Sequence, residues 1–283
     1  MDKSTMDSLK INNFPIDDIC VGSRWEVSNE DQLARLIAVV IMGQAAYAAH
    51  IIRELMPANP AFSNDALKKE AIIKFTVQDT PQPVRYGYPK VQRDGLIFEV
   101  ISWIAAKQLA GKNAYLKDPH TSSTSQGLDG LMIELSENGQ EILKSTIFED
   151  KCTTNPRRTF TQSVIPGFIE RHKNTRNSEL IAEATSLIKL SGVDDVTAMR
   201  MVQKVLDNNT RHYRAGFAVT SDFDNEEARK NLFDGYGEIK GIRAEQRNAS
   251  TFVVDGPLRP WFESLAQKII AYIEQLDGDF LNV

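Results

Sequence analysis

Between residues 128 and 152 the hydrophobic period of the chain switches to two, and no other stretch limits the fold as much. The runs LDGLMIEL (128–135) and ILKSTIFEDKC (142–152) are rich in β-forming residues and flank Ser136-Glu137-Asn138-Gly139-Gln140. That combination is a strong hairpin signal. Two registers are open. A two-residue Asn138-Gly139 turn pairs Asp129 with Phe148 and puts Glu149 on the opposite face. A three-residue loop at 137–139, with Gly139 left-handed, pairs Asp129 with Ile147. Side chains alternate along a strand, so this second register sets Asp129, Ile147, Glu149 and Lys151 on one face.

Helical periodicity surrounds the hairpin. A helix is expected from near Ser28, with Asp31 as an approximate capping partner, through Leu33, Leu36, Ile37, Val40 and Ile41 toward Leu55. Its alanines leave one side small. Residues 76–92, with three prolines and Gly87, read as an extended connector. Leu96, Ile97, Val100, Ile101, Ile104 and Leu109 predict a helix over 94–111 with Glu99 on or beside its apolar face. After the hairpin come a helix over 159–173 interrupted at Pro166-Gly167, two helices over 178–190 (capped by Ser178) and 193–207, and a strand over 212–221. A short helix over 226–233, a strand over 249–255 and an amphipathic helix over 261–276 complete the chain. The expected class is α/β. The expected division is an N-terminal helical section, 1–80, and a core, 81–283, ending in a strand and the amphipathic helix.

Composition narrows the classes. With 283 residues, 42% hydrophobic and 25% charged, the chain is long enough for a substantial core and is neither collagen-like nor disordered. Cys20 and Cys152 are far apart and suggest no disulfide framework or zinc ribbon, so a cytoplasmic home is expected. No signal peptide is legible, and the apolar run near Leu36 falls short of the ~20 residues that span a bilayer, so no membrane partner is expected. The net charge of −5 is uneven: residues 151–176 carry six basic side chains against Glu170 alone. Such asymmetry makes a phosphate-attracting surface on an acidic protein, although a solvated helix face has the same composition.

Asp129 and the run Glu149-Asp150-Lys151 form the only dense site candidate in the sequence. Two carboxylates on one face hold a hard divalent cation such as Mg²⁺ through oxygen. A lysine two residues beyond the glutamate points the same way, where it serves an attacking water or neutralises a pentavalent phosphate. His120, His172 and His212 lack metal-ligand spacing. Cys152 is read as a buried strand cysteine, with an activated thiol as the lesser reading. Asp222, Asp224 and Glu226 fail the calcium-loop pattern, and no GxxxxGK[ST], GxSxG or HExxH occurs.

GLDG and FEDK, with 19 residues between Asp129 and Glu149, resemble the D…ExK signature of the PD-(D/E)XK nuclease superfamily. Leu128 stands where the family's proline would be. The resemblance covers 94–220 and implies a restriction-endonuclease-like core of helix, β-meander, helix and strand. It implies metal-dependent DNA hydrolysis with Mg²⁺ or Mn²⁺ held by Asp129, Glu149 and the Asp150 main-chain carbonyl, and with Lys151 serving the nucleophile. Asp150's carboxylate is expected to face away. Glu99 on the preceding helix and Gln162 on the following one match positions that support the metal site and orient substrate or water. Arg157, Arg158, Arg171 and Lys173 follow as phosphate-gripping candidates. Within the superfamily the hairpin looks most like small anti-phage nuclease subunits of the Hachiman type, with Cap4-like effector nucleases and restriction enzymes near alternatives. That likeness implies DNA as substrate and a helicase or ATPase as protein partner. A homo-oligomer is a further expected partnership. The alternative is a non-catalytic module that binds nucleic acid or a partner on a nuclease-like fold.

Overall fold

A computed structural model of the chain describes residues 7–125, 127–175 and 177–276. Among the described residues seven strands form one mixed sheet in the order β1-β2-β7-β6-β5-β4-β3. β1 (Leu9–Pro15) and β2 (Val21–Val27) pair antiparallel at one edge. β3 (Ala114–Leu116), β4 (Gly130–Leu135) and β5 (Ile142–Cys152) form an antiparallel meander at the other. β6 (Arg211–Thr220) and β7 (Arg247–Val254) fill the centre and run parallel to β5, to each other and to β2. A central parallel strand is covered on both faces, which is why FAVT in β6 and TFVV in β7 hardly alternate.

The helices fall into two layers. On one face α1 (Glu30–Ile41), α2 (Ala45–Glu54), α3 (Asp65–Phe75), α4 (Lys90–Leu109) and α10 (Leu258–Gln275) pack around Trp25, Phe148, Cys152 and Phe252. The other face buries Ile147, Tyr213, Ala215 and Phe217. Its cover is α5 (Pro156–Thr159), α6 (Ile165–His172), α7 (Asn177–Lys189), α8 (Asp195–Val202) and α9 (Glu226–Phe233). The α/β class is as expected, and the C-terminal helix buries Phe262, Leu265, Ile269 and Ile273. No helix among the described residues is long and apolar enough to cross a membrane.

Several local expectations are corrected. Residues 1–80 are not wholly helical, because β1 and β2 join the sheet. The helix expected from Ser28 toward Leu55 is two helices. Gly43 adopts φ +81°, and buried Gln44 turns its side chain to Phe62 O and the Ala61 amide at 2.6 and 2.7 Å. Its cap is Asn29, whose side chain accepts the Gln32 amide at 2.9 Å. Of its alanines, Ala34, Ala38, Ala45 and Ala48 are buried in the chain's own core, whereas Ala46 is exposed. Ser178 is the second residue of α7 rather than its cap.

Helical structure also runs through Pro166-Gly167 without interruption. Proline has no amide to give the carbonyl four residues back, and just ahead of it Phe160–Val164 form a π turn in which the Ile165 amide bonds Phe160 O.

Candidate active site

β5 ends in Glu149-Asp150-Lys151-Cys152, and its pleat splits these four between the faces. Glu149 and Lys151 lie on the α5–α9 side, Asp150 and Cys152 on the α4 side. Lys151 Nζ lies 2.7 Å from Glu149 Oε1 and 3.1 Å from Asp129 Oδ2. The same Asp129 oxygen accepts the Asp150 amide at 2.8 Å, so the backbone of β5 orients this carboxylate. All three side chains are half-buried. Burial lowers the affinity of Lys151 for its proton, but the charges and hydrogen bonds of Asp129 and Glu149 outweigh it and raise the pKa well above the usual lysine value. With these partners Lys151 is a fixed cation.

Next to the turn Leu135 pairs with Ile142, as the two-residue turn requires, but beyond it neither expected pairing of Asp129 occurs. Gly130 pairs with Phe148 and Leu131 with Ile147, and the ladder slips between Glu134 and Leu135. The ladder begins at Gly130. Asp129 therefore stands just outside the ladder, where its side chain caps the Asp150 amide. Gly130 is needed beside it, because a Cβ there would sit 2.5 Å from the Phe148 ring.

Asp150 faces away from Lys151, as expected. Its Oδ2 accepts Ser102 Oγ at 2.6 Å from α4 and lies 3.4 Å from Arg214 Nη2. Burial pushes its carboxyl up to about 6 against the opposing pull of Arg214. Gly216, opposite it on β6, leaves the room: a Cβ would meet Asp150 Oδ1 at 2.2 Å.

None of the remaining candidates makes a hydrogen bond or ion pair with Asp129, Glu149 or Lys151 among the described residues, although the Glu99 charge acts on Asp150. Glu99 on α4 pairs with His120 Nδ1 at 3.0 Å and accepts the His120 amide at 2.7 Å, tying the helix to the loop that leads into β4. Gln162 is exposed in the π turn and accepts Arg158 Nε at 2.9 Å. Arg157 reaches Leu232 O at 3.2 Å and the Asp234 carboxylate at 3.1 Å, so it braces α9. Arg171 is buried and paired with Glu179 at 3.3 Å, which removes it from any phosphate-gripping surface. Arg158 and Lys173 are exposed. Burial raises the Cys152 thiol to about 12, leaving it unactivated.

Among the described residues no group of three or more His, Cys, Asp and Glu side chains is gathered for a metal. The set implied by the resemblance needs fewer, since its third donor is a main-chain carbonyl. Asp129 and Glu149 fit a hard cation in one respect visible here: two half-buried carboxylates already converge on a single positive centre, the Lys151 ammonium.

Sequence reading missed the partners of this strand end. Ser102 and Arg214 hold Asp150, His120 holds Glu99, and Arg259 Nη2 donates to Cys152 O at 3.1 Å. A polar residue inside an apolar run was the available signal for two of them, as in VISWIAA and HYRAGFAV. Comparisons with family models, curated proteins and solved structures find no match to the chain.

Proposed function

We propose that the chain is a metal-dependent nuclease that hydrolyses phosphodiester bonds in DNA at the Asp129, Glu149 and Lys151 centre. The observation that carries this reading is the meeting of those three side chains, 2.7 and 3.1 Å apart, at the end of β5. The order of elements supports it: α4, the β3–β4–β5 meander, the helices α5–α8, then β6 parallel to β5 is the order that the PD-(D/E)XK resemblance implies.

Asp129, Glu149 and the Asp150 carbonyl are the groups that would hold Mg²⁺ or Mn²⁺. When bound, such an ion polarises a phosphoryl oxygen and makes a water acidic enough to attack. The chain's own contribution is orientation and charge. The Asp150 amide fixes Asp129, and Lys151 lies between the two carboxylates. As a protonated group Lys151 stabilises negative charge building on the phosphorus oxygens rather than removing a proton. Arg158 and Lys173, exposed on the helical segment that follows β5, attract the phosphate backbone. An anti-phage setting with a helicase or ATPase partner extends the resemblance further. With no GxxxxGK[ST] in the chain, a nucleotide-driven step falls to that partner.

The test is cleavage of linear and supercoiled plasmid DNA with Mg²⁺, with Mn²⁺ and with chelator, for wild type, Glu149→Gln and Lys151→Met, alone and with a candidate helicase. Metal-dependent cutting by wild type and a loss of at least a hundredfold in both folded variants is the expected result. DNA binding without cutting in every condition would make the chain a binding module instead.

A further inference from the structure

The sheet face opposite the Lys151 centre is only partly covered. α4 covers the 150–152 end of β5 through Ser102, and its last turn, with Ala106 and Leu109, walls one side of a gap over the strand's first half. There a cleft of about 720 Å³ opens over β2, β7, β6, β5 and β4. Its volume lies within the range of small-molecule sites. Trp25, Met132 and Phe148 line it with apolar and aromatic surface, while Thr146, Arg214 and Asn248 add polar groups.

Three of these polar groups carry an unmet atom. Thr146 and Arg214 are 4% and 7% exposed. Thr146 Oγ1, Arg214 Nε and Asn248 Nδ2 are buried and have no hydrogen-bond partner among the described residues. A buried polar atom left alone is costly, and three gathered at one cleft mark a place where a ligand's polar edge belongs. Two of the three can only donate, and the hydroxyl can also donate. The missing edge is therefore rich in acceptors. Arg214 is already stacked on aromatic surface, with its guanidinium carbon 3.5 Å from the Phe148 ring centroid and 5.1 Å from that of Trp25. Its charge is answered by Asp150 at 3.4 Å, so the site calls for acceptor atoms more than for a full negative charge.

We propose that this cleft binds a planar heteroaromatic molecule of nucleoside size, its carbonyl or ring-nitrogen acceptors directed at Thr146, Arg214 and Asn248. Its ring lies against the half-buried Phe14 and Met132 side chains of the lining, because Trp25 and Phe148 are 1% and 2% exposed. The proposal stands independently of the nuclease reading, because Asp129, Glu149 and Lys151 take no part in the cleft.

Titration calorimetry of the full chain with guanosine, uridine and indole tests it, indole supplying the flat ring without the acceptor edge. Saturable binding of guanosine or uridine is expected, at least tenfold tighter than indole, and weakened at least tenfold by Thr146→Val and by Asn248→Leu. In wild-type protein the same nucleoside should shift the Trp25 indole N–H resonance and leave that of Trp261 unmoved, a readout that needs no variant. Absence of saturable binding by either nucleoside overturns the proposal. So does binding no tighter than indole, or binding that neither substitution weakens and that leaves Trp25 unmoved. Ordered water alone would then satisfy the three groups.

Discussion

At the scale of single residues, burial and pairing decide which titratable groups matter. Lys151 keeps its proton because two carboxylates face it, whereas His212 is driven the other way. Burial, aided by the nearby Lys144 charge, lowers its pKa from 6.5 to about 4, and its Nδ1 lies 3.1 Å from Glu245 O. The unfolded chain then takes up a proton near pH 6.5 while the folded chain does not. The stability attached to this group is complete above that pH and is lost as pH falls toward 4. Urea melts across that window should show a downward slope with acidification that becomes shallower in His212→Gln. An unchanged slope would mean that the ring is protonated in the fold.

At the scale of elements, a buried ion network sets the carboxyl end of β5 against two helices. Arg93 and Asp94, both fully buried in the first turns of α4, pair at 2.7 Å. Arg93 also meets Glu263 of α10 at 2.6 Å, and Arg259 of α10 meets Asp94 at 2.6 Å. Arg259 then donates to Cys152 O, so the segment carrying Glu149 and Lys151 is held from behind through α10. Removing Asp94 leaves Nε and Nη2 of buried Arg93 unmet, with only Glu263 still paired to it, a loss of about 3–5 kcal/mol. Asp94→Ala should lower stability by that amount in denaturant melts. It should also release α10, read as faster amide exchange in the 258–275 segment than in α7.

At the scale of the whole molecule, a net charge of −5 coexists with basic side chains around the 156–173 segment. The fold divides those side chains into two kinds. Arg158 and Lys173 face solvent, while Arg171 is spent on Glu179 inside the α6–α7 contact. If the proposed DNA surface lies here, Arg158→Ala and Lys173→Ala should each flatten the dependence of log affinity on log salt by about 0.9. Arg171→Ala should lower stability and leave that slope unchanged. Equal slopes for all three variants would place the DNA surface elsewhere.

Local physics was legible in the residues themselves. Alternation and turn chemistry identify the β4–β5 hairpin, and the apolar stripe of 261–276 identifies α10. The placing of the Asp150 carboxylate on the face opposite Lys151 follows from strand parity alone. What tertiary structure decided was everything that depends on distant partners. The slip between Glu134 and Leu135 shifts the two-residue-turn register by one residue over the rest of the hairpin, yet Asp129 still meets Lys151 because its carboxylate caps the Asp150 amide from outside the ladder. β1 pairs only with β2, and β2 also pairs with β7, over 200 residues away, a contact no local window contains. Arg171 and Lys173 read alike in sequence, and only the packing of α7 separates a buried ion pair from a solvated charge. Periodicity reports what a segment can bury; the neighbour that buries it, and the charge left exposed, are set by the assembled layers.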